Sequence, residues 1–180
     1  MMHKIIVSVD RSPLGIAVFN QAVALAQTTK AKLMLLHVMT PKEPEYPYLP
    51  LDIDYYPLIE TKTYEHYHQK FAEYEANGLD FLQGLAEQAR DQGVDTEYTQ
   101  LEGNPGRMTC ELANNWSADL IVVGSRGLRG IKEMFLGSVS NYVTHHAPCS
   151  VLIVRQPIDA ELENNHYQPL ENQELLMIIF

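Results

Sequence analysis

From Gly124 to Ser140 the chain reads GSRGLRGIKEMFLGSVS, and the residue types in that stretch suit a phosphate. Gly124 and Gly127 follow the apolar run Leu120-Ile121-Val122-Val123, and nine residues separate Gly127 from Gly137-Ser138. Glycines at the exit of a buried strand let the backbone turn tightly and come close to a ligand. Gly137-Ser138-Val139-Ser140 stands where a helix would begin, and a helix start offers free N–H groups and a partial positive charge. The hydroxyls of Ser138 and Ser140 can add further donors. A second chemically pointed residue, Asp10, closes the run Ile5-Ile6-Val7-Ser8-Val9. A strand-end carboxylate in a crevice suits a ribose, while its plainer use is to cap the helix that starts near Ser12.

Other chemistries find little support in the residues. The turn after the first strand, Asp10-Arg11-Ser12-Pro13-Leu14-Gly15, lacks G-x-G-x-x-G, and no G-x-x-x-x-G-K-[ST] occurs anywhere. His145 and His146 are adjacent and belong to the last turn of a helix, where a cation suits the dipole. His66 and His68 stand two apart on an expected helix and diverge, so no metal site is assigned. Cys110 and Cys149 fit no metal or redox spacing. No Ser/His/Asp arrangement and no paired catalytic carboxylates are found, so slow turnover of a bound phosphate ester is the most that is expected.

The formal net charge is −10, from 13 Lys and Arg against 23 Asp and Glu, which disfavours a nucleic-acid partner. The charge is uneven. Residues 156–180 hold Asp159, Glu161, Glu163, Glu171 and Glu174 and no Lys or Arg, whereas the glycine loop holds Arg126, Arg129 and Lys132 against Glu133. A basic loop on an acidic protein points to a local anion, although each of these cations taken singly reads as solvated. No apolar run is long enough to span a bilayer, and the N-terminus enters a strand at once. The expectation is a cytoplasmic protein with no membrane partner.

Around these residues the pattern is α/β. Residues 3–9 and 32–39 read as strands buried on both faces. Between them Ser12-Pro13 opens a helix with Ile16, Phe19, Val23 and Ala26 inward. Residues 40–62 carry Pro41, Pro44, Pro47, Pro50 and Pro57 among Tyr46, Tyr48, Tyr55 and Tyr56, which reads as an ordered surface excursion. It is either a lid or partner surface, or a loop with no ligand role. Residues 63–92 read as a long helix with Phe71, Tyr74, Gly78, Phe81, Leu82, Leu85 and Ala89 inward. Residues 96–101 read as a short strand, and Gly103-Asn104-Pro105-Gly106 turns into a helix with Met108, Leu112, Ala113 and Trp116 inward. Residues 120–123 read as a strand, 138–146 as a helix stopped by Pro148, and 150–154 as the last strand. Strands alternating with helices predict a five-stranded parallel, doubly wound sheet with helices on both faces. Ligands bind such sheets at the carboxyl ends of the strands, at the switch point of strand order. Asp10, Val38-Met39 and Gly124 all lie there.

Taken together these residues resemble the universal stress protein family, in its nucleotide-binding branch. The carrying motifs are Val7-Ser8-Val9-Asp10, Leu36-His37-Val38, Gly103-x-Pro105, the run from Ala118-Asp119 through Gly124-Ser125-Arg126-Gly127, and Gly137-Ser138-Val139-Ser140. The resemblance covers residues 1–156, with the Pro/Tyr stretch 40–62 as insert and 157–180 as an acidic tail ending in the apolar run Leu175 to Phe180. It implies a Rossmann-like, adenine nucleotide alpha hydrolase-like fold. It also implies that Asp10, with Ser8 and Val9 beside it, meets the adenosine half of a nucleotide. Val38 would read the adenine edge through its backbone, and Val123 and Gly124 would floor the ribose and phosphates. Arg126 and Gly127 would wrap the triphosphate, and Gly137, Ser138, Val139 and Ser140 would bind the β- and γ-phosphates. Ser8 replaces a proline, and Arg126 a histidine, found in some members.

The expected function is an ATP-, ADP- or AMP-binding stress sensor or regulator, with Mg²⁺ arriving on the nucleotide and cyclic AMP among the candidate ligands. The resemblance also implies a homodimer through Ser150 to Val154, and the nucleotide state would be read by an unknown protein partner. The alternatives are a weak ATPase or adenylate-handling enzyme on the same fold, and a stress scaffold that binds no nucleotide.

Overall fold

The structure is a computed structural model and describes residues 2–48, 61–125 and 136–155. Five strands, β1 (Lys4–Ser8), β2 (Lys32–Met39), β3 (Thr96–Glu102), β4 (Leu120–Gly124) and β5 (Ser150–Val154), alternate with four helices. The helices are α1 (Pro13–Thr29), α2 (Thr61–Asp91), α3 (Pro105–Trp116) and α4 (Ser138–His146). The sheet is wholly parallel in the order β3-β2-β1-β4-β5, so the doubly wound expectation holds.

Side-chain alternation along the strands produces the two cores. Ile5, Val7, Leu33, Leu35, Leu120 and Val122 face one side with Val18, Phe19, Ala22, Leu82, Ala86 and Ala89 of α1 and α2. Ile6, Met34, Leu36, Val38, Ile121 and Val123 face the other with Cys110, Ala113 and Val143 of α3 and α4. Right-handed crossovers require this division. The chain winds outward through β2 and β3 with its helices on one face, then returns to β4 and β5 with its helices on the other. The order reverses between β1 and β4.

Local chemistry fixes the helix ends. Ser12 caps α1 by accepting from the Gly15 N–H at 3.1 Å, and Pro13 follows in the first turn. Asn104 caps α3 by accepting from the Arg107 N–H at 3.1 Å, with Pro105 in the first turn. The buried stripe of α1 runs through Gly15, Val18, Phe19, Ala22, Val23 and Ala26. Ile16 falls on its flank and is 37% exposed, not inward as the period suggested.

Helix α2 begins two residues before the expected start and is 31 residues long. That is about 46 Å at 1.5 Å per residue, against about 26 Å for an eight-residue strand such as β2. Its buried residues begin at Tyr74, so the N-terminal turns reach past the carboxyl ends of the strands. There Tyr46 packs edge-on against Phe71 and Tyr74, with ring centroids 5.8 and 5.5 Å apart. The part of the Pro/Tyr stretch that is described is therefore ordered against α2. The rest of it, the basic loop and the acidic tail lie outside the described residues. Among those described, no helix is long and apolar enough to cross a membrane.

Candidate functional site

A crevice of about 220 Å³ opens at the carboxyl ends of the strands, at the reversal between β1 and β4. Ser8, Val9 and Asp10 form its edge at β1, Val38 its edge at β2, and Val123 and Gly124 its edge at β4; Gly137, Ser138, Val139 and Ser140 close it from α4. These ten expected site residues, far apart in sequence, line a single cavity. Arg126 and Gly127 lie outside the described residues.

Val38 presents a bare backbone edge. The Leu36 carbonyl accepts from the Val9 N–H at 2.9 Å and so points toward β1. Backbone groups alternate sides along a strand, so the N–H and C=O of Val38 point the same way, where β1 has ended. One donor and one acceptor thus lie side by side at the crevice wall.

Helix α4 is the electropositive wall. Its N-cap is Gly137, with φ −60° and ψ 159°, and no side chain caps the first turn. The first intrahelical bond runs from the Asn141 N–H to the Gly137 carbonyl at 2.9 Å. The N–H groups of Ser138, Val139 and Ser140 therefore have no helical acceptor, and unlike the starts of α1 and α3 this one has no side-chain cap to take one of them. Ser140 has a partner within its own helix start. Its hydroxyl is buried and donates to the Gly137 carbonyl at 3.0 Å, so its proton serves the helix start. Ser138 is exposed.

Asp10 serves the cap reading at least. Its Oδ1 accepts from the Ser12 N–H at 3.1 Å and from the Ser12 hydroxyl, which orients Ser12 as the cap of α1. Gly124 is glycine for a reason other than its turn. A Cβ there would lie 3.1 Å from Leu14 and Val18, so its bareness lets α1 close onto β4. Asp119, part of the quoted motif, lies at the opposite end of the sheet. Its Oδ2 accepts from the His3 and Lys4 N–H groups at 2.7 and 3.0 Å, a structural tie.

Several lining residues were not singled out from the sequence as site residues: Ser12, Leu14, Gly15, Val18, Thr40, Lys42, Glu43, Pro44 and Tyr142. Asn104 and Pro105 also line the crevice, and only the Gly103-x-Pro105 motif hinted at them. The segment 40–44 is held by a polar cluster. His37, 2% exposed, places Nε2 at 3.0 Å from Glu43 Oε1 and Nδ1 at 3.2 Å from Gln100 Oε1. The Tyr74 hydroxyl donates to Glu43 Oε2. Burial works against charge on His37, but the bonds to Glu43 and Gln100 and the negative charge of Glu43 outweigh it and raise its pKa. Burial likewise opposes ionisation of Glu43, but the bonds from His37 and Tyr74 prevail and lower its pKa. Burial and the Glu43 carboxylate raise that of Tyr74.

Among the described residues no group of three or more His, Cys, Asp or Glu could hold a metal ion. His146 directs Nδ1 to the Tyr142 carbonyl at 2.9 Å and stacks on the Tyr142 ring. The arrangement as a whole offers a neutral donor–acceptor edge on one side and an uncapped, electropositive helix start on the other.

Comparison with known proteins agrees with this architecture. The sequence pattern described as "Universal stress protein family" matches residues 1–155. The chain is 38% identical over 156 residues to universal stress protein Sll1388 of Synechocystis, covering 84% of this chain and 97% of that one. A universal stress protein solved in complex with cAMP aligns with a TM-score of 0.60 at 24% identity, over 86% of this chain and 97% of that one. A universal stress protein family protein from Arabidopsis thaliana, solved with AMP bound, aligns with a TM-score of 0.60 at 22% identity, over 88% and 94%. These last two likenesses speak to the fold, and the first two to descent. The chain belongs to the universal stress protein family.

Proposed function

We propose that this protein binds an adenine nucleotide in the crevice between β1, β2, β4 and α4, and acts as a nucleotide-responsive regulator. The observation that carries the reading is the uncapped start of α4 standing across one crevice from the bare edge of Val38. The Val38 C=O can accept from the adenine amino group and its N–H can donate to the neighbouring ring nitrogen, as in other contacts to that edge of the base. The N–H groups of Ser138, Val139 and Ser140 can bond phosphate oxygens in the favourable field of the helix start. Gly137 brings no side chain into the space a phosphate would take. Asp10, Ser8 and Val9 lie between the two ends, where a ribose would sit. The relatives solved with cAMP and with AMP support an adenylate as the ligand.

ATP is the fuller form of this proposal, with Arg126 and Gly127 wrapping its phosphates and Mg²⁺ carried on them. A homodimer through β5 completes it. β5 is the sheet edge, and its Leu152 is 40% exposed. The deciding experiment is calorimetric titration of the purified, nucleotide-stripped protein with ATP, ADP, AMP and cAMP. Micromolar binding of at least one is expected, and heats indistinguishable from dilution for all four would refute the proposal.

A further inference from the structure

His37 is buried between two groups that can only accept. Gln100 Nε2 lies 3.0 Å from the Glu75 carbonyl, and a carbonyl has no proton to give. That fixes the amide with nitrogen toward Glu75 and Oε1 toward His37 Nδ1. On the other side of the ring, Glu43 receives the Tyr74 hydroxyl on Oε2, which leaves Oε1 to face His37 Nε2. A neutral imidazole has one N–H and one lone pair, so one of these contacts would set lone pair against lone pair. Both are satisfied only by the imidazolium. Gly78 is part of the same design. A Cβ there would collide with Gln100 Oε1 and lie 3.2 Å from His37 Nδ1.

Glu43 lines the crevice together with Lys42 and Pro44, so what holds Glu43 also shapes the wall beside Val38. We propose that His37, as its imidazolium, is the positioning residue that holds Glu43 in the wall of the crevice, so that the crevice takes an adenylate best while both ring nitrogens carry protons. The inference rests on the nucleotide reading above. Two effects act in the same direction. Loss of the proton from His37 leaves one N–H for two acceptors, so the ring no longer holds Glu43 and Gln100 together, and it removes a positive charge from beside the Glu43 carboxylate at a site for an anion. The other groups facing the cluster are few. Arg11, from the turn after β1, opposes charge on His37 and pairs with Glu45 at 2.5 Å. Phe81 of α2 sets its ring edge-on at 6.4 Å. Gln100 is neutral, and Tyr74 reaches His37 only through Glu43. By linkage, a bound adenylate holds the proton on His37 more tightly.

The test uses the full chain and cAMP, whose phosphodiester keeps one charge from about pH 6 to about pH 9, the range that brackets an elevated histidine. Calorimetry on the wild type is expected to show the cAMP dissociation constant rising on the order of tenfold across that range. In Glu43→Gln a neutral amide can face either protonation state of Nε2, so the rise should shrink to about twofold or less. In parallel, nuclear magnetic resonance of the ligand-free protein follows the His37 ring. Its midpoint is expected above the ordinary histidine range in the wild type and lower in Glu43→Gln. A flat wild-type profile, or the same pH dependence in both proteins, overturns the proposal. So does a His37 midpoint that Glu43→Gln leaves unmoved. Failure of cAMP, AMP and ATP to bind at every pH, with the His37 midpoint still elevated and still sensitive to Glu43→Gln, overturns the nucleotide reading while upholding the His37–Glu43 tie.

Discussion

Ser138 opens α4 at the place that Pro105 takes at the opening of α3, and both residues line the same crevice. Pro13 holds the equivalent first-turn place in α1. Proline is favoured there because the missing N–H has no helical partner to lose. The helix that faces the crevice with an uncapped start is the one that keeps a donor at its first position. Gly137 already has the extended φ and ψ that a following proline requires. Ser138→Pro should therefore preserve α4 while deleting one amide donor and one hydroxyl. Charge-assisted hydrogen bonds contribute about 1.5–3 kcal/mol each, so AMP affinity should fall about tenfold or more with the helical circular dichroism retained. Calorimetry decides it. Unchanged affinity would mean that the phosphate sits elsewhere.

Gly124 invites a test that needs no ligand. The Cβ of any other residue would lie 3.1 Å from Leu14 and Val18, inside the packed contact of α1 with β4. Overpacking of this kind costs about 1–3 kcal/mol. Gly124→Val should lower the urea midpoint of the nucleotide-free protein accordingly. Equal midpoints would restore the view that this glycine is there only to admit a ligand.

The fold was legible because each strand advertises itself. Apolar runs such as Lys32–Met39 and Leu120–Val123 have one reading when both faces are covered, and Ser12-Pro13 and Asn104-Pro105 announce their helices. The sheet order was not in the residues, because nothing in a strand's own sequence names its neighbours. The convergence of ten residues on one crevice was legible because they end strands or start a helix, places where the topology dictates convergence. Glu43 and Lys42 were not, because nothing in a proline-rich stretch says which way it folds back. The His37–Gln100–Glu43 cluster was hidden for a related reason. His37 sits in an apolar strand and finds its partners six and 63 residues away, and no local spacing encodes such contacts. Ser140 shows another limit: its type suits an anion, but only the structure reveals that its hydroxyl proton goes to the Gly137 carbonyl.

The His37–Glu43 pair also governs stability against pH. His37 has a raised pKa in the folded state, so its contribution is complete below its unfolded value near 6.5 and is lost as pH rises through the higher folded value. Glu43 has a lowered pKa, so its contribution is complete above its unfolded value near 4.5 and is lost as pH falls through the folded one. The pair is therefore strongest between about pH 4.5 and about pH 6.5. Urea midpoints of the wild type should decline on the alkaline side of that window, and those of His37→Ala should not decline there through this pair. His37→Ala also leaves Glu43 half-buried without its counter-charge, a loss of about 3 kcal/mol. Parallel pH profiles for the two proteins would show that the proton on His37 does not matter to folding.

β5 presents the last test. Among the described residues it pairs only with β4, so within them its outer edge is the sheet edge, the usual template for joining a second strand. Val151 and Ile153 turn inward onto the core of α3 and α4. Leu152 points to the other face and is 40% exposed. Two copies meeting edge to edge about a two-fold axis would bring each Leu152 beside its twin's strand. A buried glutamate at such a place has no cation to meet, and two of them would face each other. Leu152→Glu should therefore raise the dimer dissociation constant by about 30-fold or more, the scale of an interface residue contributing about 2 kcal/mol. Sedimentation velocity at micromolar concentration would show a dimer for the wild type and a monomer for the variant, with circular dichroism unchanged. A wild-type chain that sediments as a monomer, or a variant that stays dimeric, would place the contact on another surface.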